Sequence, residues 1–515
     1  MALNWLPGRK IDHPMADMKR AREMVDGLSR GDYVRALEEI VSWLESINLE
    51  AAFKLEYRLE LLDLIERGAK PHWGAVSTEY LDAPRLQKQY ESKLWTAYFV
   101  FWKMLGDSYL RCLKQYQSGQ ADGGTEKSLP MIVGRALRSL TVQIKWRLLR
   151  YDTVEERVWN DIGGTYAFAE SHGFANKRAT IYPGAHGEAS AQEELLKALL
   201  LVVSSPDALS PDKLQIAERV IAHVARKGEV DSMRTAGCGF YYDLAMHTGP
   251  ARVFKGMRMG NSVRFFGPGG GRKALNEIAQ AINEKGGVPE DLNLGGKFDK
   301  QVVMSVVMHI GRYWSETPPE RRSPRLDLVT RLTVVPGFNA AVSWINSEID
   351  GDSLVFVVPA NSESWVVANA SDGGYGATVP TSKGDWLKVG ALVGLRAEGQ
   401  PVSRAGILRR TSRDKDNQRR VGIEVLSKVA IPARFVLANG DKPAVPSGNA
   451  PNALLLNSKP DANGQIKLLL RAGSYAAGKP AHMFVRGKGY LVTPIAAQEE
   501  GDDFDLASFK IVKPL

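Results

Sequence analysis

Between about positions 32 and 227, apolar residues recur at intervals of three and four, the spacing that buries one face of a helix. The pattern predicts helices at about 32–47, 50–67, 84–117, 130–150, 190–204 and 211–227. In the last of these, Leu214, Ala217, Val220, Ile221 and Val224 form one apolar stripe, and Gln215, Arg219 and Arg226 point away from it. Ser210 can cap the first turn. Pro211 suits the first helical position because its missing amide proton would have no partner there, and Asp212 lies near the positive end of the helix dipole. No helical-repeat period is present, which argues against a tetratricopeptide array.

From about 236 to 266 the pattern changes to a small β insertion, with Cys238–Ala245, Ala251–Phe254 and Ser262–Phe266 as its extended runs. Helices are predicted again at about 272–285 and 300–314. The stretch Glu316–Arg325 contains Pro318, Pro319 and Pro324, which remove amide donors and push their neighbours to extended conformations, so it reads as a domain junction. Short β-branched runs bounded by turn residues then predict strands at Leu328–Val335, Ala341–Ile345, Leu354–Val358, Trp365–Ala368, Tyr375–Val379, Val389–Leu395, Ala405–Arg410 and Val421–Leu426. Further strands are expected near 434–437, 453–456, 466–470, 482–486 and 507–512, with Pro443–Pro451 as a loop. The pattern leaves open whether these last residues form their own domain or wrap the preceding barrel.

The fold class expected is α+β and multidomain. A helical domain (1–235) is followed by a small α+β segment (236–316), an antiparallel β-barrel (317–428) and a β-rich C-terminal module (429–515).

With 515 residues, 44% hydrophobic and 24% charged, the chain has the composition of a folded globular protein of several domains rather than a disordered one. Its 67 basic residues against 58 acidic ones give a net charge of +9, which a solvated basic surface explains as well as nucleic acid does. Cys112 and Cys238 lie far apart without metal-binding spacing and read as buried thiols in a reducing compartment. No apolar leader opens the chain, and the apolar runs Trp95–Leu105 and Leu195–Val203 are too short to span a bilayer. A cytoplasmic protein without a membrane span is the expectation.

Two motifs flank the start of the β region. Arg321-Arg322-Ser323-Pro324-Arg325 is an RxxxR on the junction, and Asn369-Ala370-Ser371-Asp372-Gly373-Gly374 is an NxSxxG on the turn after a predicted strand. In this order, and with Arg420–Leu426 downstream as a last barrel strand, they resemble the PilZ family over residues of about 318–428. The resemblance implies a barrel that binds cyclic di-GMP, with the family's binding roles falling on Arg321, Arg325, Asn369, Ser371 and Gly374, and Arg322 as an accessory.

The residue chemistry suits that ligand. A guanidinium can fork onto guanine O6 and N7, pair with a phosphate or stack on a base. Asn369 offers both a donor and an acceptor to a guanine edge, and Ser371 adds a hydroxyl. Gly374 allows a positive φ and a close backbone approach. The spacing from Arg325 to Asn369 is longer than usual in the family, so the runs at Ala341–Ile345 and Leu354–Val358 read as an insertion or an elaborated barrel.

Other signals point to structure rather than chemistry. Gly267–Lys273 departs from a phosphate-binding Walker loop, because Arg272 stands where glycine is required and Ala274 follows Lys273, and it reads as a flexible start to a helix. None of the eight histidines has metal-ligand spacing, so no metal is expected. Asp502, Asp503 and Asp505 read as a solvated turn, and the basic run Arg404, Arg409, Arg410, Arg413, Lys415, Arg419 and Arg420 as a solvated hairpin or a supplementary phosphate surface.

No nucleophile, base and orienting group stand in a recognisable arrangement, so an enzyme is not expected, nor a cofactor beyond the ligand itself. An RNA-binding platform motif is also missing, which disfavours nucleic acid as partner. Two readings remain. One is a cyclic di-GMP effector whose ligand changes the arrangement of a helical output region that docks an unidentified protein. The other is a structural or interaction scaffold whose barrel binds no nucleotide.

Overall fold

The computed structural model of the chain describes residues 11–82, 88–120, 124–183, 187–257, 259–317, 324–350, 359–380, 386–414, 416–438, 451–457 and 459–515. They form two compact units, Met1–Pro206 with Pro211–Pro319, and Asp207–Ser210 with Glu320–Leu515. The fold is α+β and multidomain, with a helical part followed by two closed antiparallel barrels.

The first unit contains α1 (Met18–Asp26), α2 (Tyr33–Leu49), α3 (Leu55–Asp82), α4 (Lys88–Gln117), α5 (Leu129–Leu149), α6 (Glu156–Ser171), α7 (Ala191–Val203), α8 (Pro211–Val224), α9 (Gly271–Lys285) and α10 (Lys300–Tyr313). Side-chain caps start several of them. Asp17 accepts from the Arg20 amide, Asp32 from Arg35 and Ser190 from Glu193. Helix α5 is buried along most of its length, packed against α4, α6 and α7, and carries the centre of this core. Helix α8 begins at Pro211 and buries Leu214, Ala217, Val220, Ile221 and Val224, the stripe read from the sequence.

Helices α1 and α6 escaped the periodicity reading. The short α1 buries only Ala21 and Val25, and α6 contains Gly163-Gly164, which resembles a break. A Cβ on Gly163 would collide with the Leu244 carbonyl, so glycine there serves close packing.

Two short strands, β1 (Ala179–Thr180) and β2 (Glu188–Ala189), pair as a hairpin, and β3 (Glu229–Asp231), β4 (Phe240–Asp243), β5 (Ala251–Arg252) and β6 (Val263–Gly267) form a sheet of order β3-β6-β4-β5. The glycine loop after β6 is committed to the fold, with Gly270 N donating to Lys227 O at 2.9 Å. Both cysteines are buried. No helix among the described residues is long and apolar enough to cross a membrane.

The second unit holds β7 (Leu326–Pro336), α11 (Phe338–Asp350), β8 (Glu363–Ser371), β9 (Gly374–Val379), β10 (Leu392–Ala397), β11 (Arg404–Arg413) and β12 (Arg419–Val425). It continues with β13 (Ile431–Leu437), β14 (Ala453–Leu455), β15 (Gln465–Arg471), β16 (Ala481–Val485), β17 (Lys488–Glu500) and β18 (Phe504–Pro514). The first barrel closes in the order β10-β11-β12-β9-β8-β7 and the second in the order β13-β14-β15-β18-β17-β16. Counted from each barrel's own first strand, the two orders are identical. The C-terminal module is therefore a second copy of the same barrel topology rather than a wrapping of the first. Leu332, Trp365, Val367, Leu395 and Ile423 fill the first barrel, and Phe435, Leu468, Met483 and Phe509 the second.

Ala341–Ile345, expected as a strand, is part of helix α11. Phe338, Ala341, Val342 and Ile345 recur at three and four residues and are all buried, a helical period that the β-branched Val342 and Ile345 disguise. Phe338, Val342 and Ile345 share one core with Leu392 and Ile407 of the first barrel and Leu454, Leu469 and Phe504 of the second, so α11 is wedged between them. The Leu354–Val358 run lies outside the described residues.

The acidic turn also corrects expectation. Asp503 accepts the Phe338 amide at 2.6 Å and so caps α11, and Asp505 accepts from Tyr475 N at 3.0 Å with only 6% exposure. The basic hairpin is likewise tied down at Arg409, which pairs with Glu424 at 2.6 Å and reaches Glu499 of the second barrel through two bonds of 2.6 and 2.7 Å.

Candidate functional site

Arg325 and the NxSxxG residues lie at one end of the first barrel. Strand β7 pairs antiparallel with β8, and the register sets Leu326 opposite Ala370 and Asp327 opposite Asn369. Arg325, which precedes β7, therefore enters the ladder where Ser371 ends β8. The β8–β9 hairpin then pairs Ser371 with Gly374 and Asn369 with Gly376. Arg325 is exposed, while Asn369 and Ser371 are half-buried. Arg321 and Arg322 lie outside the described residues.

Two bulges shape this end. Register shifts fall between Asp327 and Thr330 on β7, and between Val367 and Asn369 on β8. Glu363, Trp365 and Val367 alternate inward along β8, but after the bulge it is Ala370 that packs on the barrel core. Strand alternation then assigns Asn369 and Ser371 to the outer face together. The bulge on β7 leaves Leu326, Leu328 and Val329 exposed beside them, an apolar margin next to polar groups.

Asn369 lies over Gly376, so that a Cβ on Gly376 would stand 2.5 Å from Asn369 Oδ1. That oxygen is buried and has no hydrogen-bond partner among the described residues. A buried acceptor without a donor costs about 1–3 kcal/mol. Among the described residues, the Ser371 hydroxyl makes one long bond, donating to Gly374 O at 3.5 Å.

Gly374 departs from one expectation. Neither it nor Gly373 adopts the left-handed region. Glycine is required because a Cβ would collide with the Ile423 carbonyl on β12, which leaves the close approach as its only role here.

The start of β8, at the opposite end of the strand from Asn369 and Ser371, carries an aromatic clamp. Trp365 and Trp386 stack with centroids 5.7 Å apart, and both indole N–H groups donate to the buried Glu363 carboxylate, at 2.9 and 3.0 Å. Sequence reasoning missed this clamp, since two predicted strands and their turns separate Glu363 from Trp386. Among the described residues no group of His, Cys, Asp or Glu is arranged to hold a metal ion.

Residues 19–234 match the family model of the N-terminal domain of the cyclic-di-GMP receptor FimW. Over this span the chain is similar to part of a cyclic-di-GMP receptor. The matched residues belong to the helical part and share none with the barrel on which the two motifs lie. No curated protein matches the chain.

Proposed function

We propose that this chain is a cyclic di-GMP effector whose first barrel is a PilZ-type ligand module, and that it acts as a receptor in the cytoplasm rather than as an enzyme. Arg321 and Arg325 take the guanine edges or phosphates, with Arg322 in support. Asn369 and Ser371 hydrogen-bond the ligand, and Gly374 lets the β8–β9 turn lie close to β12. Functionally the chain divides into a helical output region (1–235), a small α+β segment (236–316), the ligand barrel (317–428) and a second barrel (429–515).

The observation that supports this reading is the register of Asp327 against Asn369, which sets the start of β7, just after Arg325, beside the NxSxxG turn. The helical match to a cyclic-di-GMP receptor supports it from other residues altogether. Ligand binding orders the loop before β7 and so changes the arrangement of the helical output region, which docks a protein partner. Such coupling is typically worth about 1–3 kcal/mol.

Hydrogen-exchange protection of residues 369–376 during titration with cyclic di-GMP, cyclic di-AMP and GTP tests the ligand assignment, with saturable protection by cyclic di-GMP alone as the expected outcome at this barrel. Small-angle scattering with and without cyclic di-GMP tests the coupling, and an unchanged profile at saturation contradicts it.

A further inference from the structure

The helical unit contains a feature that the barrel site does not use. A cavity of about 590 Å³ opens among α3, α4, α5, α7 and α8, within the range of small-molecule sites. Eight basic side chains line it against five acidic ones. Helix α5 supplies Arg138 and Lys145, two turns apart on one face.

Each of these cations shares its carboxylate with a second cation. Glu194, 1% exposed, accepts from Arg138 at 2.5 and 2.9 Å and from Lys197 at 2.7 Å. Glu218 accepts from Lys145 at 3.0 Å and lies 3.5 Å from Arg219. Two carboxylates thus face four cations on one cavity wall, leaving two positive charges unbalanced. Burial lowers the pKa of Lys145 and Lys197, and Glu218 and Glu194 restore it only in part.

Flat aromatic surface completes the lining. Trp73, Tyr98, Trp102, Trp146 and Tyr182 border the cavity, and the buried Trp146 indole N–H has no hydrogen-bond partner among the described residues. Unbalanced cations beside aromatic faces suit a ligand that joins phosphate charge to a planar ring.

We propose that this cavity is a second ligand site, for a nucleotide carrying about two negative charges in contact with the Arg138–Glu194–Lys197 and Lys145–Glu218–Arg219 clusters. The site is independent of the barrel reading, because it uses no residue of the barrel.

Hydrogen exchange on the full chain locates it. ATP, GTP, cyclic di-GMP and inorganic pyrophosphate are added separately, and protection is followed in residues 135–146 and 194–219. At least one nucleotide should protect these segments, and pyrophosphate should not. Protection by barrel binding would instead appear around 325–327 and 369–376, so the two readings fail separately.

The Lys145→Met/Lys197→Met double variant is the second arm. Each carboxylate keeps its arginine, so the variant should melt as a folded protein while nucleotide affinity at the cavity falls at least ~10-fold, as expected for lost charged hydrogen bonds. The single variant Lys197→Gln should show a smaller loss in the same direction. No protection by any nucleotide, equal protection by pyrophosphate, or unchanged affinity in folded variants overturns the proposal.

Discussion

Asp327 and Asn369 face each other across the β7–β8 ladder, and this pairing joins two sequence motifs that the chain keeps far apart. Because β strands alternate sides, a slip of one residue would turn Asn369 and Ser371 together to the other face and away from the residues that follow Arg325. The bulges on both strands pin the register where it is.

The orientation of Asn369 depends on Gly376, since a Cβ there would displace its Oδ1. Gly376→Ala should therefore lower cyclic di-GMP affinity at least ~10-fold while costing about 1–3 kcal/mol of stability through overpacking. Titration paired with urea unfolding checks it. Unchanged affinity in a folded variant would mean that the Asn369 side chain takes no part in binding.

Helix α11 holds the two barrels together, and its first amide is capped by Asp503 from the second. Asp503→Ala should cost about 0.5–2 kcal/mol, the usual loss for a helix cap. A melt indistinguishable from that of the parent chain would show that the cap is energetically idle.

The sequence pattern reads the run Ala341–Ile345 within this helix as part of an insertion or an elaborated barrel. Trp344, 2% exposed, packs its ring against Gly394 and lies 5.4 Å from the Arg396 guanidinium. Trp344→Ala should destabilise the barrel unit by about 3–5 kcal/mol. Denaturant midpoints measure this, and a loss below about 1 kcal/mol would restore the view of α11 as an appendage.

The sequence made most of the helical part and the strands of the first barrel legible, because apolar period and turn residues there agree. Strand β17 was missed for a physical reason. Pro494 interrupts it, and shifts at Leu491/Val492, Pro494/Ala496 and Ala497/Glu499 break the two-residue alternation. Without β17 the second barrel could not be recognised as a repeat of the first. Of the candidate site, the motif residues were readable, whereas the unpaired Asn369 oxygen, the tryptophan clamp on Glu363 and the cap from Asp503 depend on contacts between distant segments.

Acid should weaken the helical unit through its buried carboxylates. Burial pushes the Glu194 carboxyl up, but Arg138 and Lys197 outweigh that and hold it at about 2, and Lys145 and Arg219 hold Glu218 at about 2 against the same burial. Both pKa values are depressed on folding, so this stabilisation is present above the ordinary carboxylate range and is lost as pH falls through it toward about 2. Unfolding followed from neutral to acid pH should show a fall on the order of a few kcal/mol, with a shallower slope in Glu194→Gln. Equal slopes in the two proteins would show that Glu194 is not held in its charged form.

The most direct measurement of the central assignment is the affinity of cyclic di-GMP for the Arg325→Ala chain, read in the exchange protection of residues 369–376 so that the barrel site is observed by itself. The account predicts a loss of about 1.5–3 kcal/mol, roughly 10-fold or more, because a charged hydrogen-bond donor is removed from the ligand. Arg471→Ala, an exposed arginine on β15 of the second barrel, should bind as the parent chain does. Equal affinities for the Arg325→Ala, Arg471→Ala and parent chains would contradict the placement of cyclic di-GMP at this end of the first barrel.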